Sequence, residues 1–476
     1  MREKKKQKDI LLQTPKGMRD ILTEDYSYYH NFYETAEEIA NYYGFGPIQT
    51  PYLEKNDLFT AAIGETAEIV EKQMFAFKTR GGDRLVLRPE GTAPIMRSYL
   101  KHGMQARPQP VMLWYKGSFF RHENPQFGRF REFQSFGIEI LGESNSIADA
   151  TVIRVAAAVL EDLGLGNYII RINSIGDKEC RNAYRKELTS YYRRKLNELC
   201  KDCRRRLKEN PLRLLDCKEE TCQKLKKNAP QMVNFLCLEC KNHFKEVLEI
   251  LDALNIPYSL DHHLVRGLDY YSRTVFEIFL DLPKTDEAGG APTIAEEGVE
   301  IPAQDADGQS VGKNEKQETP ETISQFKNLA LAGGGRYDYL SKILSNKDIP
   351  GVGMAMGADR IIMAMRDKKL LRQKQKHPKI FFIQIGALAK RKSLLLTELL
   401  RKANIPLAQS ITKESLKSQL KIAAKLNAPI ILMLGQKEAL EDTIIVRDAA
   451  MGGQDIVPFS KIVDFIKNKL KKNRTL

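Results

Sequence analysis

Two alternating runs, residues 111–121 and 130–141, flank a loop that holds Asn124-Pro125-Gln126-Phe127-Gly128. Strand periodicity on either side of a Pro/Gly loop reads as an antiparallel hairpin. That hairpin commits the first part of the chain to an antiparallel sheet. It also concentrates cations: Arg121-His122-Glu123 ends one run, and Gly128-Arg129-Phe130-Arg131-Glu132-Phe133 opens the other. Guanidinium groups grip phosphate oxygens in a bidentate fork that lysine cannot reproduce. Arg121 and Arg129 on the two sides of a loop therefore form a clamp for a bent polyphosphate, and Phe133 is placed to stack a purine. An exposed basic hairpin with a packed phenylalanine is the plainer reading of the same residues.

Around the hairpin the periodicities are those of an α+β domain. Tyr28, Phe32, Ile39 and Tyr43 predict a helix over 24–44, stopped by Gly44 and Gly46 and followed by an extended stretch to Pro51. Arg84–Arg88 alternates as a strand, 147–163 is helical and Tyr168–Asn173 is a strand. Residues 177–256 change character. They are helical and rich in Lys, Arg and Cys, which marks an inserted module. Strand patterns resume at Tyr270–Leu280, at Leu329–Ala332 before Gly333-Gly334-Gly335, and in a glycine-punctuated strand that leads into a helix over Pro350–Met365. Between them, 281–325 is rich in Gly, Pro, Ala, Glu and Asp and is expected to be disordered. A basic linker ends in Pro378, and strands and helices then alternate as in a separate α/β domain. The expected organisation is one domain in two parts, 1–176 and 257–366, a helical Cys-rich insertion at 177–256, and a C-terminal domain at 379–476.

A chain of 476 residues exceeds one compact core. No run of about 18 apolar residues occurs, and Met1-Arg2-Glu3-Lys4-Lys5-Lys6 has no signal-type apolar segment behind it. A cytoplasmic chain without a membrane partner is expected. The net charge of +14 is unevenly spread: Lys379–Leu476 holds 18 basic and 8 acidic residues, whereas Asp281–Lys327 holds 4 and 11. A basic C-terminal module fits a polyanion such as nucleic acid as readily as it fits a solvated lysine-rich surface. Lys413, Lys417, Lys421 and Lys425 lie four apart, which puts a basic stripe on one helix face. Of seven cysteines, six fall between Cys200 and Cys240, a clustering that suggests metal before redox chemistry. Cys200-x2-Cys203 and Cys237-x2-Cys240 suit one tetrahedral thiolate zinc, with Cys217 and Cys222 as competing ligands. Reduced core cysteines are the alternative.

The hairpin residues resemble motif 2 of the class II aminoacyl-tRNA synthetases. The run ending at Pro51 resembles motif 1, the dimerisation element. Gly351-Val352-Gly353-Met354-Ala355-Met356-Gly357-Ala358-Asp359-Arg360 resembles motif 3, with Asp359 where the family usually has Glu. Leu264-Val265-Arg266-Gly267-Leu268-Asp269-Tyr270-Tyr271, with Thr274-Val275-Phe276-Glu277, resembles the signature of the histidyl-tRNA synthetase family within that class. So do Ala332-Gly333-Gly334-Gly335-Arg336-Tyr337-Asp338, Arg88-Pro89-Glu90-Gly91-Thr92, Thr14-Pro15-Lys16-Gly17-Met18-Arg19-Asp20 and Ile172-Asn173-Ser174-Ile175-Gly176-Asp177. The C-terminal module resembles the anticodon-binding domain of this group, best over Thr412–Pro429.

The resemblance implies an antiparallel-sheet catalytic domain carrying a helical insertion, followed by an α/β anticodon-binding domain. It implies ATP with Mg2+, L-histidine and tRNA(His) as ligands of a homodimer. The histidine carboxylate attacks the α-phosphate, pyrophosphate leaves, and a ribose hydroxyl of the tRNA 3′ end then takes the histidyl group. Arg121 would hold the α-phosphate, Arg129 the bent β/γ end, and Arg360 with Phe133 the adenine; Glu123 belongs to the same set. Arg266 would bridge the histidine carboxylate and the α-phosphate. Glu90 and Thr92 would take the ammonium, Glu139 one imidazole N–H and Tyr271 the other nitrogen, with Tyr270 beside it. Lys413, Lys417, Lys421 and Lys425 would meet tRNA.

The sequence departs from the family at Ser135, where a glutamine usually adds a contact to the ammonium. Gln134 stands one place earlier and should point away. Either a water replaces the amide or a bulge shifts the register. A regulatory or histidine-sensing subunit without aminoacylation is the alternative function. Such relatives tend to lose the signature around Arg266 or the C-terminal domain, and both are present here.

Overall fold

The computed structural model describes residues 12–65, 67–281, 326, 329–370, 379–410, 415–449 and 452–472. The chain divides into two units, residues 1–371 and 372–476. The stretch expected to be disordered lies, beyond Asp281, outside the described residues, as does Lys413.

The first unit is built on a sheet of eight strands. β1 (Gly46–Pro47), β5 (Val111–Phe120), β6 (Glu132–Leu141), β7 (Tyr168–Ser174), β8 (Tyr258–Leu260), β9 (Ser272–Leu280), β10 (Ala332–Arg336) and β11 (Gly351–Gly357) lie in the order β1-β5-β6-β11-β10-β9-β7-β8. Only the outer pairs β1–β5 and β7–β8 are parallel. β2 (Leu53–Lys55), β3 (Ala76–Lys78) and β4 (Arg84–Leu87) form a separate antiparallel sheet in the order β2-β4-β3. Of these three only β4 is legible in the alternation. The others are three-residue strands, too short for a period to register.

The hairpin pairs in unbroken register from Val111↔Leu141 to Phe120↔Glu132, and β6 pairs with β11 from Gly351↔Leu141 to Gly357↔Ser135. Neither pairing contains a bulge, so the bulge alternative at Ser135 is excluded. Side chains alternate accordingly. Trp114, Phe136, Ile138, Ile140, Val352, Met354, Met356, Phe276 and Ile278 share one buried core with helices Thr23–Tyr42, Ser146–Asp162, Leu238–Ala253 and Ala358–Asp367. Each fully buried Val, Leu, Ile, Phe or Met side chain of that core contributes about 1.5–3 kcal/mol. Helix Thr23–Tyr42 buries Tyr29, Phe32, Ala36 and Ala40, the 3-4-4 spacing of one helical face. The opposite face of the sheet carries Tyr115, Phe119, Phe133, Glu139 and Glu277, with glycines between them.

The stretch 178–253 is helical, with helices Lys178–Arg193, Lys201–Glu209, Glu220–Lys226 and Leu238–Ala253, the last of which also packs in the core of the main sheet. Its small core joins Tyr184, Leu188, Tyr192 and Leu207 to Cys180, Cys203, Cys217, Cys222 and Cys240. In the second unit, β12 (Ile380–Gln384), β13 (Ala408–Gln409), β14 (Ile430–Leu434), β15 (Thr443–Asp448) and β16 (Gln454–Pro458) order as β13-β12-β14-β15-β16. Ile380 and Phe382 face one core with Leu396 and Ile466, while Phe381 and Ile383 face another with Ala423. Apolar residues on both faces explain why β12 reads as a continuous hydrophobic run.

Candidate active site

Arg121, Arg129, Arg266 and Arg360, from separate parts of the chain, reach one cavity of 840 Å³, with Arg206 and Arg213 also on its wall. Arg121 comes from the end of β5, Arg129 from the hairpin loop, Arg266 from the segment before β9, and Arg360 from the start of the helix after β11. Glu123, Phe133, Ser135 and Glu277 line the same cavity. The full set expected for the nucleotide is therefore brought together.

Backbone carbonyls orient these cations. Arg121 Nε donates to the carbonyl oxygen of Pro89 at 3.0 Å, and its guanidinium lies 5.3 Å from the Phe133 ring centroid. Arg360 donates to the carbonyls of Gly128 at 2.9 Å and Ala330 at 2.7 Å. Arg129 Nη1 lies 3.4 Å from Glu123 Oε2. Arg266 pairs with Glu277, whose carboxylate rises from β9. Burial, with the charges of Arg129 and Arg121 nearby, pushes the Arg360 guanidinium down to about 10. Burial also lowers Arg121, against the attraction of Glu123 and Glu90.

Beside the cavity lies a buried polar cluster. Glu90 sits at the start of helix Thr92–Lys101 and accepts from the N–H groups of Thr92 at 2.6 Å and Ala93 at 3.0 Å. Tyr270 donates to the same carboxylate at 3.3 Å. Glu139, with no exposed surface, accepts from Thr92 Oγ1 at 2.7 Å and from the Tyr337 hydroxyl. Burial pushes the Glu139 carboxyl up to about 8 against those hydrogen bonds, and Glu90 adds to the rise. Burial raises Glu90 as well. Tyr271 is buried next to Arg266, whose guanidinium lies 5.8 Å from its ring centroid.

Glycines on the sheet make this cluster possible. A Cβ on Gly353 would overlap the Glu139 carboxylate, and one on Gly351 would overlap the Tyr337 ring. A Cβ on Gly333 would press on Arg266 Nη1 at 2.5 Å. Gly91 and Gly137 likewise leave room for the Tyr115 ring.

Sequence reasoning missed Tyr337, Tyr115 and Glu277 as site residues. Tyr337 stands in a run already singled out, and the strand period puts Tyr115 and Glu277 on the face of Glu139. Neither cue names the partner atom.

Ser135 donates to the carbonyl of Met356 at 2.8 Å and is buried. Gln134 points to the other face as expected. It accepts from the Tyr33 hydroxyl at 3.1 Å and donates to Ser118 Oγ at 2.7 Å. Asp359 is bound by Arg19 at 2.7 Å, by the Tyr29 hydroxyl and by the Gln134 N–H at 2.7 Å. These partners reach the shorter carboxylate.

The metal expectation is corrected. Cys200 and Cys203 cluster with Cys217 and Cys222, whereas Cys237 and Cys240 cluster with Cys180 and Asp177. The two C-x2-C pairs begin different helices and do not share a centre.

In the second unit Lys417, Lys421 and Lys425 are exposed on helix Leu416–Lys425, whose other face buries Gln419 and Ala423. Gln419 fixes that face by exchanging hydrogen bonds with the Gln384 backbone, at 3.2 Å and 2.8 Å. Among the described residues no helix is long and apolar enough to cross a membrane.

The family model for histidyl-tRNA synthetase matches residues 17–291, and the one for the anticodon-binding domain matches residues 380–469. The histidine–tRNA ligase of Natranaerobius thermophilus is 37% identical over 459 residues, covering 96% of this chain and 99% of that one. The histidine–tRNA ligase of a Dehalococcoides mccartyi strain is 38% identical over 460 residues, covering 97% and 100%. Among solved structures, apo histidyl-tRNA synthetase of S. aureus aligns with a TM-score of 0.72 at 29% identity, over 95% of this chain and 99% of that one.

Proposed function

The chain belongs to the histidyl-tRNA synthetase family, and we propose that the arginine-lined cavity and the cluster beneath it activate histidine and pass it to tRNA. The ligation of histidine to tRNA is the activity of the family. The roles of individual residues are our reading.

The observation that carries it is the convergence of Arg121, Arg129, Arg266, Arg360 and Phe133 on one cavity. ATP supplies the anion that these cations would grip. Arg121 holds the α-phosphate and Arg129 the β/γ end, which bends back over the hairpin. Adenine lies between Phe133 and Arg360. The Glu123 and Glu277 carboxylates on the cavity wall would hold Mg2+, which would neutralise phosphate charge.

Histidine enters beside them. Glu90 and Thr92 receive its ammonium, Glu139 accepts an imidazole N–H, and Tyr270 and Tyr271 close the pocket. Arg266 swings from Glu277 to the substrate carboxylate and the α-phosphate. A carboxylate oxygen bonds to the α-phosphorus, the bond to pyrophosphate breaks, and no base is required because the nucleophile is already ionised. Preorganised cations do the work of bringing two anions together. The ribose hydroxyl of tRNA(His) then attacks the adenylate carbonyl, and AMP leaves. Lys413, Lys417, Lys421 and Lys425 hold the tRNA.

We also read the chain as a cytoplasmic homodimer. Tyr52, Leu53 and Phe77 are exposed on and beside the three-stranded sheet, a surface that a second copy would cover.

ATP–pyrophosphate exchange with each amino acid in turn, without tRNA, tests the activation step. Stimulation by histidine alone is expected. A folded protein that binds histidine but exchanges nothing would establish the regulatory alternative instead.

A further inference from the structure

The helical insertion assembles two four-ligand clusters. The Sγ atoms of Cys200, Cys203, Cys217 and Cys222 all lie within 4.8 Å of one another. Cys200 Sγ and Cys217 Sγ are 3.8 Å apart. A disulfide requires about 2.05 Å. A tetrahedron with Zn–S bonds of about 2.3 Å has edges of about 3.8 Å. A carboxylate oxygen of Asp177 and the sulfurs of Cys180, Cys237 and Cys240 converge within the same limit.

Both clusters direct backbone N–H groups at sulfur. Cys200 begins helix Lys201–Glu209 and accepts from the Cys203 N–H at 3.4 Å. Cys237 begins helix Leu238–Ala253 and accepts from the Cys240 N–H at 3.4 Å. Cys222 Sγ accepts from the Cys200 N–H at 3.4 Å, and Cys180 Sγ from the Cys237 N–H at 3.1 Å. Asp177, whose Oδ1 accepts from the Cys180 N–H at 2.8 Å, turns Oδ2 toward the sulfurs of Cys237 and Cys240 at 3.5 Å and 3.3 Å.

The clusters also hold the two insertion segments that touch the histidine signature. Cys217 follows the turn Pro211–Asp216, where Arg213 donates to the Gly267 carbonyl at 3.1 Å and to Asp269 at 2.9 Å. Asp177 caps helix Lys178–Arg193, where Arg181 donates to the Tyr271 carbonyl at 3.0 Å. Cys200 and Cys217 lie on the wall of the ATP cavity itself.

We propose that each chain binds two structural zinc ions, one at Cys200, Cys203, Cys217 and Cys222, the other at Asp177, Cys180, Cys237 and Cys240. Together they pin the insertion against the loop that carries Arg266 and Tyr271. The inference stands on the clusters and does not depend on the substrate assignment.

The test is metal analysis of the full-length chain purified without chelators from zinc-supplemented cells. Two equivalents of zinc per chain are expected, falling to one in Cys222→Ser and to one in Cys240→Ser. Exchange of the native chain into cobalt(II) adds a readout that needs no variant, with the intense visible and charge-transfer bands of tetrahedral cobalt thiolate expected. Absence of zinc together with absence of thiolate–cobalt bands overturns the proposal. A native chain that holds only one equivalent, and loses it in either variant, overturns the two-site arrangement, and a native chain with one equivalent lost only in Cys222→Ser removes the Asp177 site.

Discussion

Gly353 lies directly under Glu139, so that a Cβ at that position would overlap Oε2 of the carboxylate. The glycine of β11 thus makes the pocket for the acceptor on β6. Gly353→Ala should lower kcat/KM for histidine by about 100-fold or more, the cost of misplacing a substrate-orienting group by an ångström. ATP affinity, measured by equilibrium binding, should remain near the parent value because the arginines are untouched.

Glu139 titrates at about 8 in the empty site, whereas the free imidazole of histidine titrates near 6.5. The ionised carboxylate is the stronger acceptor for an imidazole N–H, so binding favours release of its proton. Histidine affinity should therefore rise with pH between these two values and level off above them. Calorimetry in buffers of different ionisation heat reads the released proton. Glu139→Gln should bind more weakly and without that dependence. A flat profile for the parent protein in this window argues against the assigned role.

Ser135 spends its hydroxyl on the Met356 carbonyl, while the strand register points its side chain at the site. With no bulge to bring Gln134 round, no amide stands at the position where the family resemblance implies a contact to the histidine ammonium. Ser135→Gln should lower KM for histidine several-fold with kcat little changed. An unaltered KM would count against this account of the departure.

Asp149 is fully buried against Arg336, with His243 Nε2 at 3.4 Å. Burial works against the carboxylate, but Arg336 more than offsets it and holds Asp149 below its usual 3.8. A lowered carboxyl contributes stability above its unfolded-state value and loses it as pH falls through the lower folded-state value. Asp149→Asn leaves the buried Arg336 cation with Asp338 at 3.2 Å and the carbonyls of Glu143 and Asn145 as its remaining partners. It should cost about 1.5–3 kcal/mol near neutral pH, the loss of a hydrogen bond between charged groups, with the loss shrinking under acid. Urea melts at several pH values measure both.

Replacing Lys417, Lys421 and Lys425 together by Ala should weaken tRNA binding and reduce the log–log salt slope by roughly one unit for each phosphate left without its lysine. Histidine-dependent pyrophosphate exchange should not change. Equal losses in both assays would place the lysines in a structural role rather than on tRNA.

Local decisions can be read along the chain itself. The period of two along 111–121 and 130–141 sets the hairpin, its register and the face on which Glu139 stands, because alternation is a property of each strand alone. For the first helix the sequence singles out Tyr28, Phe32, Ile39 and Tyr43, which locates the helix, but its buried face is Tyr29, Phe32, Ala36 and Ala40, so of the four only Phe32 is fully buried. The motif residues Arg121, Arg266 and Arg360 are legible as a set through their resemblance to a family, although nothing in their spacing brings them to one cavity.

Pairings between distant positions come from the packed fold. A C-x2-C pair supplies two corners of a tetrahedron, and the helix it begins leaves the other two to whatever the fold carries there. That is why Cys200 and Cys203 meet Cys217 and Cys222, while Cys237 and Cys240 meet Cys180 and Asp177. The hydroxyl of Tyr337 on Glu139 spans 198 positions, and Gly351 must lack a side chain for the ring to fit. Such contacts depend on the strand order β6-β11-β10. Hydrogen bonds between non-sequential strands establish that order, and the period of a single strand carries no record of it.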